Sequence, residues 1–168
     1  MEESRQPKEL ALDTNLVLDL ADEAEFAHAF KEMFQEHNYA LRLPPTVISE
    51  LHENLIRGQS PRKRELSRVA LLNARAWGLR PFELSPVQEA IAQRFAVRLA
   101  NSGLLPPEEL HDAVILAETS LVQIPLVVTS DKHLLDIDED ALLLAFNDAD
   151  LSPVRPAHPK RLLRALRR

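Results

Sequence analysis

A chain of 168 residues, 45% of them hydrophobic, is long and apolar enough for one domain with a substantial core, which excludes a disordered polymer. The absence of cysteine excludes disulfides and thiolate zinc sites and favours an intracellular home. No apolar run approaches the roughly 18 residues that cross a bilayer, and the start Met1–Glu9 lacks the basic-then-apolar order of a signal peptide, so the expectation is a cytoplasmic protein with no membrane partner.

Leu10–Asp13 reads as a short buried strand closed by Thr14 and Asn15, and Leu16–Leu20 begins a helix. Phe26, Phe30, Met33 and Phe34 recur at helical spacing, which predicts an amphipathic helix over 24–37. Tyr39–Leu43 is a second strand. Pro44 and Pro45 open the next helix, with Val47, Ile48, Leu51 and Leu55 on its apolar face. Gly58 and Ser60-Pro61 break it, and the basic cluster Arg57, Arg62, Lys63, Arg64 and Arg68 leads into a helix running toward Trp77.

Pro81–Leu84 is expected as a third strand. Ser85 caps a helix with the stripe Val87, Ile91, Phe95 and Leu99, ended by Gly103. Pro106-Pro107-Glu108-Glu109 opens a helix through Asp112, with acids suited to its first turn. Leu126–Thr129 and Leu142–Phe146 read as the last two strands. Pro153, Pro156 and Pro159 make an extended link to a short basic helix in which Leu162, Leu163 and Leu166 share a face. Strands alternating with helices predict an α/β fold, a mostly parallel sheet covered on both faces.

Charge divides the chain. Residues 151–168 hold Arg155, Lys160, Arg161, Arg164, Arg167 and Arg168 and no acid, so the overall −6 becomes −12 over residues 1–150. The expected organisation is an acidic domain, 1–150, followed by a basic tail, 151–168. Both basic clusters could meet phosphates; the alternative is a solvated helix face and a solubilising tail.

Four acids stand where a carboxylate is awkward. Asp13 ends the run Leu10-Ala11-Leu12, Glu50 interrupts an apolar helix start, Asp112 precedes Ala113–Ala117, and Asp131 follows Leu126–Ser130. Unpaired charges are costly beside core segments. If the fold gathers these four, their repulsion calls for a divalent cation of the hard, oxygen-seeking kind, Mg²⁺ or Mn²⁺. That points to a metal-dependent phosphodiester hydrolase. Asp13 and Asp131 both fall at carboxyl ends of strands, where α/β folds bind ligands.

In this arrangement the chain resembles the PIN-domain ribonucleases, and the VapC-like toxins most. The resemblance rests on Leu12-Asp13-Thr14-Asn15, Val47-Ile48-Ser49-Glu50-Leu51, His111-Asp112-Ala113-Val114-Ile115-Leu116-Ala117 and Val128-Thr129-Ser130-Asp131-Lys132-His133, in that order. It implies a single PIN-like α/β/α sandwich and metal-dependent cleavage of single-stranded RNA, with Mg²⁺ or Mn²⁺ as cofactor. It also implies a homodimer and, for the toxin branch of type II pairs, an antitoxin protein. Asp13, Glu50, Asp112 and Asp131 match the family's acidic positions and are the candidate catalytic and metal-binding residues. Asp13 and Asp112 are the expected direct ligands, with Glu50 and Asp131 completing the shell, one of them through water or as the base. Thr14, Asn15, Ser130 and His133 are candidates for orienting an acid, a bound water or the substrate. His133 stands where relatives often carry another acid, and Asp136 is the candidate replacement. The departure leaves a second reading, a non-catalytic or housekeeping PIN module that binds RNA or a protein.

Each acid has a structural alternative. Asp13 and Asp131 could cap the helices that come after them, Asp112 could cap or pair within its own helix, and Glu50 could pair with Arg57. Glu53 and Glu109 read as surface acids. Other chemistries lack their parts. A phosphoaspartate phosphatase needs a second Asp where Asn15 stands. Three glycines do not supply a phosphate loop, no serine elbow is present, and the six histidines show no zinc spacing.

Overall fold

The computed structural model describes residues 7–167; Met1–Gln6 and Arg168 lie outside that range. In chain order the elements are β1 Lys8–Leu12, α1 Thr14–Ala21, α2 Glu25–Glu36, β2 Tyr39–Leu43, α3 Pro45–Arg57, α4 Pro61–Asn73, β3 Leu79–Pro81, α5 Pro86–Ser102, a 3-10 turn Pro107–Glu109, α6 Leu110–Leu121, β4 Leu126–Val128, α7 Lys132–Leu135, α8 Glu139–Asp148, β5 Arg155–Ala157 and α9 Pro159–Leu166. Five strands form one sheet in the order β3-β2-β1-β4-β5, and every pairing is parallel. The expected α/β/α sandwich is therefore the observed fold.

The central strands carry apolar side chains on both faces because helices cover both. Leu10, Ala11 and Leu12 of β1, Leu41 and Leu43 of β2, and Val127 and Val128 of β4 are all buried. Each buried Leu or Val contributes about 1.5–3 kcal/mol relative to exposure. Nine consecutive residues of α6, Asp112–Ser120, are buried, so this helix is enclosed on all sides. The polar members of that stretch therefore need partners or a function.

Chain order and sheet order diverge at β1. From β1 the chain moves outward through β2 and β3, then returns to the other side of β1 with β4. Such a reversal opens a crevice at the carboxyl ends of the two flanking strands, where side chains and ligands fit. Leu12 pairs with Val128 across that switch point, and the Asp13 N–H donates to the Val128 carbonyl at 3.0 Å. Asp13 and Thr129 thus leave neighbouring strands at the crevice.

Four expectations are corrected. Leu142–Phe146 lies inside α8 and is not a strand. Asp138 accepts a hydrogen bond from the Ala141 N–H at 2.8 Å and caps the helix. Leu142 and Phe146 are buried while Leu143 and Leu144 are 42% and 59% exposed, a helical period that five consecutive apolar residues hide in the sequence. The fifth strand comes instead from the proline-rich segment beyond residue 150. Its Pro156 lacks an N–H, which an edge strand tolerates, and β5 is an edge. The third strand is Leu79–Pro81 rather than 81–84. Gly78, at φ 75°, turns the chain into it one residue before Leu79. In α5 the expected stripe is buried only at Phe95 and Leu99; Ala92 and Ala96 complete the packed face, while Val87 and Ile91 are 70% and 40% exposed.

Other local signals held. Ser85 and Gln88 form a reciprocal capping box, and Gly103 ends α5 in the left-handed region at φ 82°. Among the described residues no helix is long and apolar enough to cross a membrane.

Candidate metal centre

Asp13 is both a helix cap and a buried acid. Its Oδ1 accepts the Thr14 N–H at 2.7 Å, and its Oδ2 accepts the Thr129 hydroxyl at 2.7 Å. Only 2% of the residue is exposed. Burial pushes its carboxyl up to about 6; the Thr129 and Thr14 hydrogen bonds oppose the rise, and the Glu50 and Asp131 charges add to it.

Asp112 enters from the first turn of α6 and is 8% exposed. Among the described residues its buried Oδ2 has no hydrogen-bond partner. Burial raises its pKa far above the carboxylate range, reinforced by the Asp13 charge and then by Glu109 and Asp131. Asp131 is half-buried; its N–H donates to the Thr129 hydroxyl at 2.9 Å, and its Oδ1 accepts the His133 N–H at 2.8 Å and caps α7. For Asp13 and Asp131 the capping alternative holds, with Oδ1 of each accepting the cap hydrogen bond, and it does not exclude a role in the crevice for the second oxygen.

Asp13, Asp112 and Asp131 each offer an oxygen, and these oxygens lie within 4.8 Å of one another. Three buried or half-buried carboxylates at that separation repel strongly, and among the described residues no donor meets Asp112 Oδ2 to offset it. A divalent cation fits: the donors are all hard oxygens, the spacing suits ligands around one ion, and the orphaned Oδ2 lacks only a positive partner.

Glu50 stands outside this trio. Its Oε2 accepts the Thr14 hydroxyl at 2.6 Å, and its Oε1 lies 3.3 Å from His111 Nδ1. Arg57, its expected alternative partner, pairs with Glu53 instead. All four acids line one cleft of about 920 Å³, together with Thr14, Asn15, Lys63, Gln93, Glu109 and His111. Asn15 is exposed at its mouth and Ser130 is half-buried beside Asp131; among the described residues neither makes a side-chain hydrogen bond. His133 projects outward, with Nε2 3.7 Å from Glu109 Oε1. Asp136 ends α7, exposed and outside the acidic trio.

Several residues escaped the sequence reading. Thr129 joins two site acids, donating to Asp13 and receiving from Asp131, yet at a strand end it reads as an ordinary β-former. Glu109, expected on the surface, lines the cleft and acts on Asp112. Lys63 lines the cleft as well, whereas Arg57, Arg62 and Arg68 of its cluster are held by Glu53, Asp22 and Glu65 and Arg64 donates to the Gly58 carbonyl at 2.8 Å. Glu118, 5% exposed, accepts the Thr46 N–H at 3.1 Å and the Thr46 hydroxyl at 3.0 Å. Pro44 offers no side-chain cap to α3, so α6 supplies one through Glu118. That contact sets the helix carrying Glu50 against the helix carrying Asp112.

A family model described as the PIN domain matches residues 10–140. The chain belongs to the PIN domain family. The match includes all four acids and most of the sheet. Among solved structures, VapBC2 from Rickettsia felis, bound to a DNA fragment from their promoter, is similar to this PIN domain at 14% identity and TM-score 0.60, covering 89% of this chain and 98% of that one. FitAcB from Neisseria gonorrhoeae is similar at 18% identity and TM-score 0.50, covering 89% and 97%. Likeness at such identities concerns the fold. No curated protein matches the sequence at a significant level.

Proposed function

We infer that this PIN domain is a metal-dependent endoribonuclease that hydrolyses single-stranded RNA, and that it is the toxin of a toxin–antitoxin pair. The observation that carries the nuclease reading is the buried Asp112 Oδ2, without a hydrogen-bond donor and in company with Asp13 and Asp131. Asp13, Asp112 and Asp131 would hold the ion, Mg²⁺ or Mn²⁺ by the hardness of the donors. A bound divalent ion supplies Lewis acidity and lowers the pKa of coordinated water. The protein's share is positioning. Thr129 fixes Asp13 Oδ2 and the backbone of Asp131, and Thr14 holds Glu50 Oε2. Glu50, which lines the same cleft with Oε1 3.3 Å from His111 Nδ1, would serve as the base that takes a proton from the nucleophilic water.

The toxin reading is supported by the fold shared with VapBC2 and by the family's acid pattern. Its consequences are a neutralising antitoxin partner and a homodimer. Purified protein incubated with mixed single-stranded RNA in Mn²⁺ or Mg²⁺ should cut it, and chelator or Asp13→Asn should stop cleavage. Cleavage that persists in chelator would refute the metal reading. A protein encoded by an adjacent small reading frame should bind the chain and inhibit it; no such inhibition would leave a housekeeping nuclease.

A further inference from the structure

Residues 151–167 contain no acid, and α9 sorts them into two faces. Leu163 is buried, and Leu162 and Leu166 pack against the core. With 3.6 residues per turn, Lys160, Arg161, Arg164 and Arg167 fall within an arc of about 120° on the other side. All four are exposed, and among the described residues none joins an ion pair.

The helix is held in place. It packs on α2. The Lys160 ammonium lies 5.3 Å from the centre of the Phe26 ring, which stacks on His158 at 6.5 Å. His158 Nδ1 accepts the Lys160 N–H at 3.1 Å and caps the helix. The helix that carries the cations is thus in place before any partner arrives, which reduces the entropic cost of binding.

Their position is set by the sheet. Ala157 of β5 pairs with Val128 of β4, the strand that delivers Thr129 and Asp131. The first turn of α9 therefore opens at the carboxyl edge, about 10 Å, or two strand spacings, from the end of β1. A polyanion entering the acidic cleft meets net repulsion from residues 1–150. Cations on a helix that starts at the same sheet edge would offset it.

We propose that the exposed face of α9 is a backbone-binding surface for single-stranded RNA, which it guides along the carboxyl edge into the acidic cleft. This rests on the ribonuclease reading and extends it to how substrate is held. An acidic protein is the weaker occupant. All three leucines of α9 are turned inward, which leaves Ala165 as the one apolar residue among its exposed positions. Protein interfaces depend on buried apolar or aromatic anchors and are depleted of charge at their centre. A phosphate backbone needs the charges alone.

Truncation is a poor test, because removal from Pro153 onward also removes β5. The full chain carrying Arg161→Glu with Arg164→Glu should be titrated with labelled oligouridylate in EDTA, so that no strand is cut. Each lost phosphate contact flattens the log-affinity against log-salt slope by about 0.7, so the double variant should lose about 1.4 in slope and roughly tenfold or more in affinity at low salt. Arg75→Glu with Arg80→Glu, the same charge change on the opposite flank of the sheet, should match wild type. Unchanged affinity and slope in the α9 variant would overturn the proposal. So would unchanged RNA binding with lost binding to polyglutamate, which would assign the face to an acidic protein. If reversal disturbs folding, Arg161→Ala with Arg164→Ala gives the same reading at half the charge change. A wild type that binds RNA through α9 but cuts none in Mn²⁺ would sink the ribonuclease reading while leaving the surface intact.

Discussion

Two buried carboxylates on α6 meet opposite fates. Glu118 has both oxygens engaged by Thr46, while Asp112, less than two turns earlier, leaves Oδ2 with no partner among other acids. Both rise above the ordinary carboxylate range, and burial is the first cause in each. The remaining causes differ: in Glu118 the hydrogen bonds from Thr46 oppose the rise, ahead of smaller additions from the Glu89 and Glu50 charges, whereas Asp13, Glu109 and Asp131 all add to it in Asp112. One helix therefore carries a structural acid that serves the fold and a frustrated acid that we propose as a cation ligand. Burial alone does not mark a functional acid; the company it keeps does.

The contrast is sharpest under neutralisation. Asp112→Asn should abolish metal-dependent cleavage, a loss greater than the roughly 100-fold typical of residues that only support ligands. The same change should raise the melting temperature of the metal-free protein by relieving repulsion. Glu118→Gln should leave cleavage within a few fold. Equal losses in both variants, measured on one RNA substrate, would erase the distinction.

Thr129→Val tests the link between two ligands. It removes the hydroxyl that holds Asp13 Oδ2 and the Asp131 N–H, and should weaken metal affinity and activity by about 10- to 100-fold, together with a loss of about 1–3 kcal/mol in metal-free stability for the groups left unpaired. A calorimetric titration with Mn²⁺ that matches wild type would show Thr129 to be a bystander.

Glu118→Ala should act on stability. It strands the Thr46 N–H and hydroxyl and opens space in the core, at a cost of about 1–3 kcal/mol, read by denaturant unfolding in EDTA. The acid also makes stability pH-dependent. Its folded carboxyl is pushed up to about 7 from 4.5, so between those values the folded state binds more protons than the unfolded one. Stability contributed by protonated Glu118 is full below pH 4.5 and is lost as pH rises toward 7, by up to about 3 kcal/mol. Glu118→Gln should flatten that decline; an unaltered pH profile would contradict the assignment. The smallest effect is expected at Lys63. As a single phosphate contact in the cleft, its loss in Lys63→Ala should raise KM a few fold, flatten the salt slope by about 0.7 and spare kcat. A fall in kcat with constant KM would instead place the ammonium at the reacting phosphate.

The frustrated half of this comparison was legible in the sequence and the satisfied half was not. Asp13, Asp112 and Asp131 announce themselves because each interrupts or borders a run that must be buried. Glu118 lies in Ala-Glu-Thr-Ser, a stretch that passes for a solvated helix end; only the approach of Thr46 from α3 gives it a role. Thr129 and Glu109 were hidden similarly, one as a β-former at a strand end and the other as an acid suited to a helix's first turn. At the level of the fold, β1, β2 and β4 were readable from short apolar runs. The run Leu142–Phe146 misled because continuous apolarity has no period, and β5 was concealed by prolines that an edge strand accepts.

If Asp112 and its neighbours form a cation site rather than a strained core, metal binding depends on Asp112. Calorimetric titration of Mn²⁺ into the metal-free wild type and into Asp112→Asn tests it directly. The wild type should bind saturably and melt at a higher temperature with metal, and the variant should lose both. Equal binding to the two proteins, or none to the wild type, would contradict it.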